Sequence, residues 1–203
     1  MAPAVIVLAG GQSRRMGTDK ALVDFHGEPL VRRIAARLAP VSGRLLAVAP
    51  AARFRPLAEA LQGIPGVELV ADVHEGQGPL SGLHAGLAAA GRGYHFVVSC
   101  DQPFVEAAFA RFLVERAAAS KADAAVPGWA GRLEVLHAAY AGPVAARAEQ
   151  LLLSGRGASL RALLEGLQVV TVAEADIRAF GDPERLFFNV NTPQALEQAR
   201  RMG

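Results

Sequence analysis

The feature that most restricts the fold of this 203-residue chain is a regular alternation of short apolar runs with stretches of helical periodicity. The first such stretch places Leu30, Ile34 and Leu38 four residues apart, which puts them on one face of a helix. Strands that alternate with helices build βαβ units, so the pattern predicts an α/β fold of three layers with a mostly parallel sheet. After Gly128 the pattern is less regular, and we expect antiparallel or edge strands there. The apolar runs predicted as strands are Val5–Leu8, Leu45–Val48, Val67–Val70, Phe96–Val98, Ala124–Val126, Val135–Tyr140 and Val169–Val172.

The composition indicates one ordinary globular domain, which we take to span residues 1–203. Apolar residues make up 52% of the chain and charged residues 20%. No apolar run approaches the roughly 20 residues that are needed to cross a bilayer. The formal net charge of +2 is too small to favour nucleic acid or a membrane as partner. Cys100 is the only cysteine, which excludes an internal disulfide, so we expect a protein of the reducing cytoplasm.

The loops that follow the strands are the places where a ligand is expected, because ligands of open parallel sheets bind at the carboxyl ends of the strands. Four of these loops carry unusual residues. They are the glycine-rich loop after Leu8, "ADVHEGQGPLSG" after Val70, "SCDQPF" after Val98 and "NVNTP" after Phe188.

The opening loop, "AGGQSRRMGTDK", combines glycines with a cluster of cations. Gly10 and Gly11 let the backbone approach an anion, and Arg14, Arg15 and Lys20 supply positive charge, so the loop fits phosphates. The residue pattern of the loop matches neither the P-loop motif nor the glycine motif that binds dinucleotides. A glycine-rich turn with a solvated basic face explains the glycines equally well, and the close spacing of the cations favours phosphate. Lys20 is also one of only two lysines, against 19 arginines.

Asp101 follows a predicted strand directly and precedes Gln102 and Pro103. A carboxylate at the tip of a buried strand suits Mg²⁺, which takes one or two carboxylates and keeps several waters. The alternative is that Asp101 caps a helix that begins at about Val105. Taken alone the cap is the better explanation, and beside a triphosphate-binding loop the metal is.

Asp72 ends another predicted strand, shortly before the glycine-rich "GQGPLSG". A carboxylate there can accept hydrogen bonds from N1–H and the 2-amino group of guanine, a pair of donors that adenine lacks. The alternative is an aspartate that only forms a turn, which is the commoner role without further context.

Asn189 and Asn191 are the only asparagines of the chain. In an extended segment, residues two apart point to the same side, so the two amides could hold a metal or phosphate oxygens together. Thr192 and Pro193 form an ordinary helix start, with threonine as the N-cap and proline as the first helical residue. That start leaves the asparagines unexplained.

The order of these loops resembles the molybdenum cofactor guanylyltransferases, which make molybdopterin guanine dinucleotide. The similarity covers nearly the whole chain and rests on "LAGGQSRRMGTDKA", "GPLSG", "CDQPF" and "FFNVNTP". It implies a Rossmann-like nucleotidyltransferase fold and Mg²⁺-dependent transfer of GMP from GTP to the terminal phosphate of molybdopterin. GTP would bind to about residues 1–105 and the pterin to about 106–203. The resemblance further implies molybdopterin-handling proteins as partners, and we expect a monomer.

The resemblance also implies roles for single residues. Lys20, Arg14 and Asp101 would be catalytic. Lys20 would contact the phosphates and Asp101 both GTP and Mg²⁺, while Asp72 would read the guanine side. One departure is Val48, which stands where some members carry an asparagine that contacts GTP. The residues expected to bind nucleotide or pterin are Leu8, Ala9, Gly10, Gly11, Lys20, Asp72, Gly78, Pro79, Leu80, Asp101, Asn189 and Asn191.

Two other interpretations stay open. The first is a cytidylyltransferase that acts on the same cofactor or on another phosphorylated metabolite. Such relatives tend to show LAAG where this chain has LAGG at Leu8–Gly11. The second is a non-catalytic GTP-binding or cofactor-carrier protein, against which the presence of both Lys20 and Asp101 argues.

Overall fold

A computed structural model of the chain describes residues 3–10, 19–154 and 158–203. Among these residues, no helix is both long enough and apolar enough to cross a membrane. The strands are β1 (Ala4–Leu8), β2 (Asp24–Phe25), β3 (Glu28–Pro29), β4 (Arg44–Ala49), β5 (Val67–Ala71), β6 (Tyr94–Ser99), β7 (Ala124–Trp129), β8 (Arg132–Leu133), β9 (His137–Ala141) and β10 (Val169–Val172). The α-helices are α1 (Leu30–Leu38), α2 (Phe54–Ala60), α3 (Pro79–Ala90), α4 (Ala107–Ser120), α5 (Val144–Ser154), α6 (Leu160–Glu165), α7 (Glu174–Arg178), α8 (Pro183–Leu186) and α9 (Pro193–Met202). Short 3₁₀ helices span Lys20–Leu22, Ala39–Val41 and Ala51–Arg53.

The centre of the fold is a sheet with the strand order β10-β7-β9-β6-β1-β4-β5, to which β8 is added through β7. Strand β1 pairs in parallel with β4 and β6, β4 with β5, and β10 with β7. Strand β9 is antiparallel to both of its neighbours, and β8 is antiparallel to β7. The predicted mostly parallel sheet is therefore confirmed, as are the antiparallel and edge strands expected after Gly128.

Strand β9 begins later than the predicted run Val135–Tyr140, at His137. The N–H of His137 donates to the carbonyl of Glu134 at 3.0 Å, and the Tyr140 hydroxyl donates to the carbonyl of Val135 at 2.8 Å. The first of these bonds closes a turn, and the second occupies the carbonyl of Val135, which a strand would offer to a neighbour. The ladder of β9 therefore starts only after the turn.

Helices cover both faces of the sheet because strand residues point alternately to its two sides. In β1, Val5 and Val7 belong to one hydrophobic cluster, whereas Ile6 and Leu8 belong to the other. The first cluster contains residues of α1, α2, α4 and α7, and the second contains residues of α3, α5 and α6. Helix α3 approaches the sheet closely at Gly86, where an added Cβ would lie 2.4 Å from Cγ2 of Ile6.

A third hydrophobic cluster attaches the carboxyl-terminal segment to the rest of the chain. It joins Phe25 of the β2–β3 hairpin, Phe104, Val190 and Ala199 of α9. The N–H of Val190 also donates to the carbonyl of Asp101 at 2.8 Å. As a result the "NVNTP" segment lies beside the loop that follows β6.

Candidate functional site

A cavity of about 430 Å³ opens at the carboxyl ends of the central parallel strands. Leu8 at the end of β1, Val48 near the end of β4 and Ser99 at the end of β6 all line it. Gly10 lines it too, and a Cβ added there would lie 3.4 Å from Cδ of Pro50. This is the position at which open α/β sheets bind their ligands.

A second wall of the cavity is the loop between β5 and α3. Asp72, Glu75 and Gly76 of this loop line the cavity, together with Gly78 and Pro79 at the start of α3. Gly76 and Gly78 have φ angles of +83° and +77°, a region that glycine adopts without strain. Gly78 is the N-cap of α3 and Pro79 its first residue, so the helix begins at the cavity.

The carboxylate of Asp72 is fixed by the loop and by α3. Its Oδ1 accepts a hydrogen bond from the N–H of His74 at 3.1 Å and another from the hydroxyl of Ser81, which is fully buried. Asp72 therefore does form a turn, as its alternative interpretation predicted, and it also lines the cavity. Sequence reasoning missed Ser81, although it is the only hydroxyl residue in "GPLSGLHAGLAAA".

Lys20, Asp101 and Asn191 form a cluster that joins three distant parts of the chain. The Nζ of Lys20 lies 3.2 Å from Oδ2 of Asp101 and also donates a hydrogen bond to Oδ1 of Asn191. Only 17% of the Lys20 side chain and 11% of the Asp101 side chain are exposed. The cluster is close to the cavity, because Asp101 comes only two residues after Ser99, which lines the cavity.

Lys20 is held in place by its neighbour Asp19. The Asp19 side chain accepts from the N–H of Ala21 at 3.0 Å and so caps the 3₁₀ helix Lys20–Leu22. Asp19 also forms an ion pair with Arg53, whose side chain is only 16% exposed. Burial of this guanidinium lowers the pKa of Arg53 from its usual value. Sequence reasoning missed Arg53, because nothing local distinguishes it from the other arginines.

One oxygen of Asp101 has no hydrogen-bond donor among the described residues. Oδ2 receives Lys20, whereas Oδ1 is buried and has no such partner. A buried carboxylate oxygen without a donor is unfavourable unless a cation or a ligand donor meets it. Helix α4 begins only at Ala107, with Glu106 at its N-cap, so the alternative of Asp101 as a helix cap is wrong.

The donor set around Asp101 fits Mg²⁺. In the described part of the chain, no group of three or more His, Cys, Asp or Glu side chains could enclose a metal ion by itself. A metal at Oδ1 of Asp101 would thus take its remaining ligands from water and from a bound substrate. Mg²⁺ binds in this way, through one or two carboxylates together with waters and phosphates.

The side chains of the two asparagines of "NVNTP" make different contacts. The N–H of Asn191 donates to the carbonyl of Asn189 at 3.2 Å, so the segment turns between the two residues instead of being extended. The Nδ2 of Asn189 donates to the carbonyl of Phe187 at 2.8 Å, while Asn191 accepts from Lys20. Thr192 caps α9 as predicted, since its Oγ1 accepts from the N–H of Ala195 at 3.1 Å.

The other residues of interest are buried or lie outside the described part of the chain. Ala9 and Leu80 are buried in the hydrophobic clusters beneath the cavity. Gly11 and Arg14 lie outside the described residues. Cys100 is buried, and burial raises the pKa of its thiol to about 12, so it packs as a neutral apolar group.

Comparison with known proteins gives a consistent family assignment. Residues 5–174 match the family described as the MobA-like NTP transferase domain. The "Probable molybdenum cofactor guanylyltransferase" of Pelotomaculum thermopropionicum is 36% identical over 197 residues, which are 97% of this chain and 91% of that protein. The molybdenum cofactor guanylyltransferase of Syntrophotalea carbinolica is 30% identical, over 98% of this chain and 91% of its own.

Solved structures agree with the sequence comparison. Molybdopterin-guanine dinucleotide biosynthesis protein A from Archaeoglobus fulgidus is 31% identical and has a TM-score of 0.83, covering 98% of this chain and 97% of its own. The 2-C-methyl-D-erythritol 4-phosphate cytidylyltransferase of Thermus thermophilus has a TM-score of 0.69 over 100% of this chain and 98% of its own, at 19% identity. This second similarity concerns the fold alone.

Proposed function

This chain belongs to the MobA-like NTP transferase family and is a nucleotidyltransferase, and we propose that it transfers GMP from GTP to the terminal phosphate of molybdopterin. Pyrophosphate is the other product. The observation that carries the proposal is the cluster of Lys20, Asp101 and Asn191 near a cavity of about 430 Å³ at the strand ends. The names of the guanylyltransferase relatives support guanine as the base.

The nucleoside of GTP occupies the cavity in this proposal, and the triphosphate extends towards Lys20. None of the described residues that line the cavity is a lysine or an arginine, whereas Asp72 and Glu75 are both acidic. The two carboxylates therefore repel the triphosphate from this wall, and the ammonium of Lys20 attracts it. Leu8, Gly10 and the start of α3 would surround the nucleoside, with Asp72 on its guanine side.

Catalysis in this proposal consists of positioning and charge stabilisation. The terminal phosphate of molybdopterin attacks the α-phosphorus of GTP in line, and the bond to the β-phosphate breaks. Lys20 would hold phosphate oxygens as negative charge develops on them, and Arg14 is proposed to do the same. The contacts of Lys20 to Asp101 and Asn191 orient its ammonium before substrate binds.

Asp101 would hold Mg²⁺ through its Oδ1, the buried oxygen that has no donor among the described residues. The ion would neutralise charge on the phosphate oxygens when it is bound. Lys20 remains on Oδ2, so one carboxylate can contact both the ammonium and the metal. This arrangement supports the dependence of the reaction on Mg²⁺.

The pterin substrate is assigned to the part of the domain formed by about residues 106–203, and the nucleotide to about 1–105. Asn191 reaches Lys20 from the carboxyl-terminal segment, so the two parts meet at the reacting phosphates. Asn189 belongs to the same segment and would contribute through the backbone that it stabilises.

The proposed function is tested by pyrophosphate release from each of the four nucleoside triphosphates, with and without molybdopterin. We expect release with GTP and Mg²⁺ only when molybdopterin is present. A preference for CTP would assign the chain to the cytidylyltransferases instead. Binding of GTP with no pyrophosphate release under any condition would indicate a carrier protein.

A further inference from the structure

We propose that Glu75 selects guanine, with its carboxylate accepting hydrogen bonds from both N1–H and the 2-amino group of the base. This inference rests on the proposed use of GTP by the same cavity. Sequence reasoning assigned no role to Glu75, and the structure places it on the cavity wall. It lies in the loop between β5 and α3, three residues after Asp72.

The electrostatics of the cavity favour a ligand group rich in hydrogen-bond donors. The described lining residues include two carboxylates, Asp72 and Glu75, and no cation. On the β4 side the wall is formed by Val48, an apolar residue that offers no hydrogen bond. Among the described lining residues, both carboxylates that can accept hydrogen bonds from a base therefore lie on the loop between β5 and α3.

The chemistry of the bases makes a carboxylate selective. Guanine presents two adjacent donors, N1–H and the 2-amino group, which match the two oxygens of one carboxylate. Adenine and cytosine present an amino group beside a ring nitrogen that accepts, and uracil presents a single N–H between two carbonyls. A carboxylate that binds both guanine donors would thus be left partly unpaired by each of the other bases, and a site of this kind discriminates strongly.

Glu75 is better suited than Asp72 to accept two hydrogen bonds from the base. Oδ1 of Asp72 already accepts from the N–H of His74 and from the Ser81 hydroxyl, which leaves one oxygen for a ligand. Glu75 is exposed on the wall, so both of its oxygens can meet a ligand. The N–H of Gln77 donates to the carbonyl of His74 at 3.2 Å, and this turn fixes the backbone on which Glu75 stands.

The test is a change of base preference in the Glu75→Gln variant, measured by calorimetric binding of Mg²⁺-nucleotides without molybdopterin. Xanthosine triphosphate carries a carbonyl oxygen in place of the 2-amino group. A glutamine can accept from N1–H and donate to that carbonyl. We expect the ratio of GTP affinity to xanthosine triphosphate affinity to fall by about tenfold to a hundredfold, the size of a lost charge-assisted hydrogen bond. Glu115→Gln, at an exposed position of α4, is the matched control and keeps the parental ratio.

Asp72→Asn decides between the two carboxylates. We expect it to weaken both nucleotides together and to leave their ratio near that of the parent. The assignment to Glu75 would be overturned if Asp72→Asn shifted the preference towards xanthosine triphosphate and Glu75→Gln left the ratio unchanged. The proposed function would survive that result as long as the parent protein still prefers GTP. A parent protein that prefers CTP to GTP would instead overturn the proposed function and this inference with it.

Discussion

At the scale of single residues, the contacts of Lys20 suit a lysine, in a chain that has one other lysine and 19 arginines. Its ammonium fits between one carboxylate oxygen of Asp101 and one amide oxygen of Asn191, in a space that is mostly closed to solvent. An ammonium is a compact charge with three donors that point in different directions, so it can hold these two acceptors and still reach a phosphate. A guanidinium is planar and wider, and its donors lie in one plane.

The first prediction is that Lys20→Arg lowers turnover by about tenfold to a hundredfold although the charge is kept. That range corresponds to the loss of a charge-assisted hydrogen bond worth about 1.5–3 kcal/mol in the transition state. Steady-state kinetics of pyrophosphate release would measure it. The matched control is Lys121→Arg at the end of α4, because Lys121 is the only other lysine and is exposed. Equal, near-parental activity of both variants would show that Lys20 is only a solvated charge.

The second prediction concerns the charge of Asp101. Asp101→Asn keeps the shape of the side chain and an oxygen for Lys20, but removes the charge that a hard cation needs. We expect turnover to fall by at least about tenfold, and the Mg²⁺ concentration that gives half-maximal activity to rise. A magnesium titration of activity measures both effects. Asp176→Asn, at an exposed position of α7, should match the parent. A parental magnesium response in Asp101→Asn would show that Asp101 does not hold the metal.

Local motifs predicted one group of site residues and missed another. Lys20 and Asp101 stand in short patterns of glycine, charge and strand ends, which are visible in the sequence alone. Arg53, Ser81 and Glu75 act through contacts made by folding: an ion pair to Asp19, a hydrogen bond to Asp72 and a place on the cavity wall. No spacing in the sequence encodes these contacts, so only the fold could identify them.

At the scale of elements, most strands could be predicted because a strand that is buried on both faces is a continuous apolar run. Helix α3 was harder, since the spacing of Leu80, His84 and Ala88 predicts one buried face. In the structure, every residue from Leu80 to Leu87 is buried and Ala88 is exposed. The helix packs against the sheet on one side and belongs to the same cluster as α5, so periodicity alone cannot identify its core face.

The third prediction tests the close contact between α3 and β1. In Gly86→Ala the new Cβ would lie 2.4 Å from Cγ2 of Ile6 and 3.2 Å from Cγ2 of Val48, so the Ile6 side chain or the helix must shift. Such overpacking typically costs about 1–3 kcal/mol of stability. Urea denaturation would measure the loss, and nucleotide affinity should fall with it because Val48 lines the cavity. Ala88→Ser adds an atom on the exposed side of the same helix. It should leave nucleotide affinity unchanged and cost only about 0.5 kcal/mol of stability, through the lower helix propensity of serine.

At the scale of the whole molecule, the site depends on contacts between the two ends of the chain. Lys20 and Asn191 are 171 residues apart in sequence, and the third hydrophobic cluster holds their segments together. The sequence predicted both residues as site residues but could not place them against each other, because that contact depends on where α9 packs. The same long-range packing encloses His137, which lies among the rings of Phe96, Phe109 and Phe187.

His137 is held neutral in the folded protein. Its Nδ1 lies 2.9 Å from Oε1 of Gln102, so Nδ1 carries the proton and donates it. Its Nε2 is buried and has no hydrogen-bond partner among the described residues. Burial lowers the pKa of His137 to about 3, whereas an unfolded histidine titrates near 6.5. Burial also lowers the pKa of His95, so both histidines make the folded protein less stable as the pH falls.

The fourth prediction is that the free energy of unfolding falls as the pH is lowered below about 6.5. In that range His137 binds a proton in the unfolded chain but stays neutral in the native protein. Above that pH both states hold a neutral histidine, and this contribution is constant. Below it, His137 alone removes about 1.4 kcal/mol for each pH unit, down to the native pKa. Urea denaturation at several pH values between 7.5 and 4.5 measures the slope.

His137→Phe should be less stable at pH 7.5, because Gln102 loses its donor, yet its stability should change less steeply with pH. His26→Asn is the control, since His26 is exposed and its positive φ suits asparagine. An unchanged slope in His137→Phe would show that acid acts on other groups.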